Sequence, residues 1–163
     1  MKKNNRVRIF IWVLAAAALF TLNFPFPISK TERVLEINTA DKSDAVNRRM
    51  TFRGTYQVNL FGPDRFTGNF KVSGYADKTG ACDFAVSSKG EGIECRTAAG
   101  TVFFGEMYSK KFLRDSVILM LHDGVIPVDT GTACLVSGAE NREDALHQMA
   151  AYSRIKDYFP NLK

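Results

Sequence analysis

The sequence is poor in the residues that carry chemistry. Its 163 residues include two His, three Cys and one Trp. No H-x-x-x-H or C-x-x-C spacing occurs, so the usual zinc frameworks have no match and no metal ligand set is expected. No glycine-rich loop opens a helix after an apolar strand, so a phosphate cradle and a bound nucleotide cofactor are not expected either. Charge of one sign is missing from most of the chain. Lys and Arg total 22 against 17 acids, but Lys2, Lys3, Arg6 and Arg8 all precede residue 9. The other 18 cations face 17 acids, and a nucleic-acid partner, which needs a phosphate-binding footprint, is excluded on that balance.

Long hydrophobic runs are also rare, and a single one dominates. Ile9 to Phe26 reads IFIWVLAAAALFTLNFPF, with only Thr21 and Asn23 as polar interruptions. As a helix, about 18 residues rising about 1.5 Å each cover roughly 27 Å, close to the ~30 Å hydrocarbon core of a bilayer. Pro25 and Pro27 are expected to stop that helix at the headgroups. The basic cluster before it, with no acid, orients the N-terminus to the cytosol and the rest of the chain outside. The expected organisation is a cytoplasmic basic tail at 1–8, a transmembrane anchor at 9–27, a tether at 28–50 and an extracytoplasmic domain at 51–163. The bilayer is the expected partner of residues 9–26. Two other readings stand beside the anchor. Cleavage in the run Ala15 to Ala18 makes the segment a signal peptide and the protein secreted, and a buried soluble helix is the third. The tether assignment rests on nine charges of mixed sign between residues 28 and 50, with a short edge strand or helical turn near Val34 to Ile37.

Period-two patterning sets the fold class of the remainder. Phe52, Gly54, Tyr56, Val58 and Leu60 alternate with polar residues, and so do Phe66, Gly68, Phe70, Val72 and Gly74. The Gly62-Pro63-Asp64-Arg65 turn between them makes a β-hairpin with one apolar face. Glycines on that face predict close backbone approach in a curled sheet. Ala81 to Ser87 and Gly92 to Thr97 form a second antiparallel pair. One register sets Phe84 against Ile93 and Cys82 against Cys95. Strands follow at Thr101 to Tyr108, Ser116 to Leu121 and Thr132 to Val136, with a polar connection at Ser109 to Asp115. A terminal helix opens at Asn141, an N-cap followed by Glu143 and Asp144, and carries Ala145, Leu146 and Met149 on one stripe. Pro160 ends it. The expected fold is mainly β: an antiparallel curled sheet, as a small barrel or sandwich, with an N-terminal transmembrane helix and a C-terminal helix that packs on the sheet or plugs a barrel.

The order of anchor, aromatic hairpin (TYQVNLFGPDRFTGNFKVSGY), further strands and a terminal helix opening on NREDAL resembles short uncharacterised single-pass membrane proteins of Gram-positive bacteria. The resemblance spans residues 51–150 and implies no activity.

Candidate chemistry centres on the cysteines. Cys82 and Cys95 face each other in the expected register and form a cross-strand disulfide if the outer compartment is oxidising; otherwise they are buried thiols. Cys134, set among Ala133, Leu135 and Val136, reads as a core residue. Its sharper use is as the nucleophile of a sortase-like acyl transfer with His122 and Arg142. The residue directly before it is Ala133 where that family has Thr, and His122 is only 12 residues upstream. Asp129-Thr130-Gly131 spells an aspartic protease triplet, but too little chain follows to complete that fold, and the triplet reads as a turn. His122-Asp123 point to opposite faces of a strand. His147 is a solvated helix residue, and Lys110-Lys111 and Arg48-Arg49 are solvated charges or headgroup contacts. The leading functional expectation is a non-catalytic binding or interaction module at the cell envelope, with a membrane-protein partner. The alternatives are acyl transfer at Cys134 and an apolar small molecule held inside a barrel lined by Phe70, Phe103 and Tyr56.

Overall fold

The alternation from Phe52 to Val72 forms two neighbouring staves of a closed antiparallel barrel of eight strands, in the order in which they occur along the chain. The computed structural model describes residues 7–14, 24–41, 45–59, 61–120 and 131–160. The strands are β1 (Phe24–Asn38), β2 (Ala45–Val58), β3 (Asp64–Val72), β4 (Ala81–Val86), β5 (Glu91–Thr97), β6 (Gly100–Lys110), β7 (Arg114–Met120) and β8 (Ala133–Ser137). A short helix, α1, covers residues 7–14. Two more, α2 (Arg142–Ala150) and α3 (Ser153–Tyr158), close the chain.

Inward-facing side chains fill the barrel. Phe52, Phe66, Phe70, Phe84 and Phe104 pack together with Met50, Ile93, Ile118 and Leu135. Ring centroids lie 5.2 to 5.5 Å apart for Phe52–Phe66, Phe52–Phe70, Phe66–Phe84 and Phe70–Phe104, the range in which aromatic pairs gain beyond area burial. Gly54 and Gly68 oppose each other across β2 and β3. A Cβ on either would sit 2.6 Å from the other's Cα, so only glycine permits this curvature. A second apolar cluster covers the outer wall. Leu35, Ile37, Tyr108, Val117, Leu119, Cys134 and Val136 point outward from β1, β6, β7 and β8. Ala145, Met149 and Ile155 from the two C-terminal helices, with Tyr152 and Phe159 flanking α3, bury them. Asn141 caps α2, its side chain accepting from Asp144 N.

Several sequence expectations need correction. Residues 24–27 are not part of a helical anchor, because β1 begins at Phe24, which pairs with Val58. Among the described residues, no helix is long and apolar enough to cross a membrane. The described residues of 28–50, which are 28–41 and 45–50, are no loose tether: they form most of β1 and the start of β2, a hairpin paired from Phe24↔Val58 to Ile37↔Ala45. The mixed charges are accommodated because β1 turns Lys30, Glu32 and Glu36 toward the barrel mouths as partnered groups. Lys30 pairs with Glu32 at 2.7 Å, and Glu36 accepts from Arg48 Nε at 2.7 Å and Tyr75 Oη at 2.8 Å. The terminal helix is broken at Ala151 and Tyr152 into α2 and α3, and it packs on the outside of the barrel.

The prolines of β1 obey edge-strand logic. Gly138 N donates to Arg33 O and Thr39 N to Thr132 O, so odd-numbered β1 residues direct their backbone toward the β8 side. β8 pairs only with Val34 to Asn38. Pro25 and Pro27, which lack an N–H, therefore face the side that β8 does not reach.

Candidate functional site

The end of the barrel where β1 enters collects the least conventional features of the fold. The β2–β3 connection, the β4–β5 connection and the tight turn between β6 and β7 meet there. Phe112 and Leu113 in that turn and Asp115 at the start of β7 adopt φ of 60°, 52° and 51°, the left-handed region that side chains other than glycine avoid. Three such residues within four positions persist because neighbours hold them. Leu113 is fully buried in the barrel mouth, and its carbonyl accepts from Lys30 Nζ. Phe112 N donates to Tyr56 Oη at 2.7 Å, and the Phe112 ring stacks on Tyr56 with centroids 5.3 Å apart. Tyr56 Oη in turn donates to buried Asp64 Oδ2 at 2.7 Å, whose Oδ1 accepts from Asn59 N at 2.9 Å. Burial, and then the bond to Asp64, push the Tyr56 hydroxyl well above its ordinary pKa, so it stays protonated as a donor.

This network presents Leu113 inward and Phe112 outward. Phe112 is 48% exposed, Phe61 on the β2–β3 connection 77% and Phe26 at the start of β1 47%. An open groove of about 840 Å³ runs between the connections, lined by Phe61, Pro63, Val86, Lys89, Lys110 and Lys111. Cations outnumber acids in these connections. Counting the adjoining strand ends, Lys89, Lys110, Lys111 and Arg114 are all exposed, against exposed Asp115, ion-paired with Lys110 at 2.7 Å, half-buried Glu91, which accepts from Ser87 Oγ, and buried Asp64. The Lys110 bond holds the Asp115 carboxyl below the usual carboxylate range. Just inside the mouth, Glu32 Oε1 is buried without a hydrogen-bond partner. Burial raises the Glu32 pKa, with Lys30 opposing.

The residues singled out from the sequence lie elsewhere. Cys82 and Cys95 are disulfide-bonded across β4 and β5, facing the interior near the opposite end. Cys134 is fully buried on the outer wall beneath the C-terminal helices. Burial pushes its thiol well above the ordinary value, and the positive charge of Arg142 only partly offsets this. Arg142 spends its guanidinium on the end of β1, donating to Asn38 O at 2.7 Å and Thr39 O at 3.3 Å. Cys134 and Arg142 are thus close enough to interact, but the thiol faces no solvent. His122, Asp129 and Thr130 lie outside the described residues. Phe70 and Tyr56 face the interior, whereas Phe103 stands 39% exposed on the outer wall, so the three do not line one cavity. Register explains the difference: a bulge between Ile93 and Glu94 turns Phe104, not Phe103, inward.

Sequence reasoning missed the Tyr56–Asp64–Phe112 network and the exposed Phe61. The available signal was the pair Phe112-Leu113 inside an otherwise charged turn, Lys110-Lys111-Phe112-Leu113-Arg114-Asp115. No family model, no curated protein and no solved structure matches this chain significantly.

Proposed function

We propose that the chain is a membrane-anchored extracytoplasmic module, a β-barrel held at the cell envelope that works by binding another envelope or membrane protein and not by catalysis. The observation that carries the reading is the surface of α1. Its large apolar side chains, from Val7 through Ile9, Phe10, Ile11, Trp12 and Val13 to Leu14, are all more than half exposed. Beyond Arg8 this helix is apolar on every side, a surface that requires an apolar surround, and no described residue of the barrel covers it. The four cations at or before Arg8 set the cytosolic side of that helix. The Cys82–Cys95 disulfide fits an oxidising compartment outside the cytosol. The packed interior and the shielded Cys134 thiol favour an outer-surface role over an internal ligand or a thiolate reaction.

The test is cross-linking of the full chain in intact cells, followed by alkaline carbonate extraction of membranes. The expected result is a carbonate-resistant chain cross-linked to one partner at constant stoichiometry. Release of the chain into the carbonate supernatant contradicts the anchor, and a resistant chain with no cross-linked species contradicts the binding role.

A further inference from the structure

The anchoring just proposed leaves open which surface of the barrel meets the membrane, and the chain itself constrains the answer. Nine residues, 15–23, join α1 to β1. Fully extended, they span at most about 30 Å. Any of them that lie within lipid shorten that reach further. The entry end of the barrel is therefore held close to the bilayer, and the opposite end is directed away from it.

The two ends differ in the way a membrane contact requires. The entry end exposes Phe26, Phe61 and Phe112, while its connections carry Lys89 and Lys111 against Glu140, with Arg65, Lys110 and Arg114 against Asp64, Glu91 and Asp115 at the adjoining strand ends. Among the described residues at the opposite end, Asp41 and Asp77 stand against Lys78 in the connections, with Lys71 and Arg96 at the adjoining strand ends. Aromatic rings prefer the depth of the headgroups, and exposed cations are drawn to anionic lipid, each Lys or Arg adding roughly fivefold to surface affinity. The strained β6–β7 turn supplies a reason for its own cost. It inverts the ordinary arrangement by holding Phe112 out of the barrel while Leu113 fills the mouth.

We propose that the entry end of the barrel lies on an anionic bilayer surface, with Phe61 and Phe112 set among the headgroups and Lys89, Lys111 and Arg114 facing lipid phosphates. The inference rests on the anchoring reading. The barrel is then not a freely swinging head. It is seated on the lipid, with the groove beneath it and the disulfide end presented to the envelope.

The experiment uses the full chain reconstituted into vesicles of phosphatidylglycerol and phosphatidylcholine whose acyl chains are brominated near the headgroup. Native Trp12, the single tryptophan, reports the anchor. In the Trp12→Phe background, Phe61→Trp reports the entry end and Phe103→Trp reports the outer wall toward the opposite end. Retention of the Cys82–Cys95 disulfide checks folding of each variant. The expected result is strong quenching of Trp12 and of the indole introduced by Phe61→Trp, with little quenching for Phe103→Trp. Adding Lys89→Glu, Lys111→Glu and Arg114→Glu should reduce the Phe61→Trp quenching on anionic vesicles. If Trp12 is quenched and Phe61→Trp is quenched no more than Phe103→Trp, the seating is overturned while the anchor stands. If Trp12 itself is not quenched, the anchor falls and the seating with it. An indole from Phe61→Trp that is unquenched by lipid but becomes shielded in a complex isolated from native membranes assigns this face to a protein partner and overturns the lipid proposal.

Discussion

The two ends of the barrel solve the closure problem differently. At the opposite end β1 and β8 pair from Val34↔Ser137 to Asn38↔Ala133, and a disulfide clamps β4 to β5 nearby. That end is held by the ladder and a covalent bond. At the entry end β1 runs on past β8, and the mouth is filled instead by a turn with three left-handed residues, a buried leucine and a tyrosine–aspartate pair. The difference teaches where this fold tolerates strain. Regular pairing suffices at the end away from the start of β1, and a costlier device appears where the chain enters and the aromatic rim is displayed.

The largest expected effect comes from breaking the entry-end plug. Leu113→Ala removes a fully buried side chain from a site that the strained turn cannot collapse around, and should cost about 2–5 kcal/mol in denaturant unfolding. A loss below the cost of an ordinary surface substitution would mean that the mouth is not closed by this residue. The matching change at the opposite end is Cys82→Ala with Cys95→Ala. The cysteines are 13 residues apart, and for a loop of that size cross-linking theory gives about 3 kcal/mol. Equal unfolding midpoints with and without reductant would show that the ladder alone secures that end.

Tyr56→Phe sharpens the comparison at the entry end without creating a cavity. It leaves Asp64 Oδ2 and Phe112 N without their shared hydroxyl and should cost about 1–3 kcal/mol. Exchange of the Phe112 amide, followed by NMR, should also accelerate; unchanged protection would place the restraint on the turn elsewhere. The smallest effect has the opposite sign. Glu32 has a folded pKa raised above its ordinary 4.5, mainly by burial. The folded state therefore holds that proton more tightly than the unfolded chain, so stability falls as pH rises from the ordinary value through the folded one. Glu32→Gln, which mimics the protonated form, should raise the melting temperature at neutral pH, and the gain should vanish below the ordinary value. A variant that is less stable at neutral pH would show that the Lys30 pairing outweighs the burial.

Much of the barrel was legible because its signal is local. The alternation in β2 and β3, the register that opposes Cys82 and Cys95, and the Asn141 cap each depend on residues within one hairpin or one helical turn. What could not be read was set by distant partners. Phe24-Pro25-Phe26-Pro27 looks like the end of an apolar helix, and only the absence of β8 beside that half of β1 lets prolines sit in a strand. The charges from Lys30 to Arg49 look like solvated tether, and only the barrel mouths turn Lys30, Glu32 and Glu36 inward to meet Leu113, Arg48 and Tyr75. The entry-end site was hidden for a third reason. Left-handed φ at Phe112, Leu113 and Asp115 has no sequence signature outside glycine and asparagine, so the apolar pair Phe112-Leu113 marked the turn as unusual without showing which of the two it inserts.

The proposed anchoring, seating and envelope binding all require the barrel to lie outside the cytosol. The direct measurement is a pair of reporters fused after Lys163, one that matures only outside the cytosol and one that matures only within it. Signal from the outer reporter with silence from the inner one is the predicted result. Signal from the inner reporter alone would contradict it and remove the ground for anchoring, seating and envelope binding together.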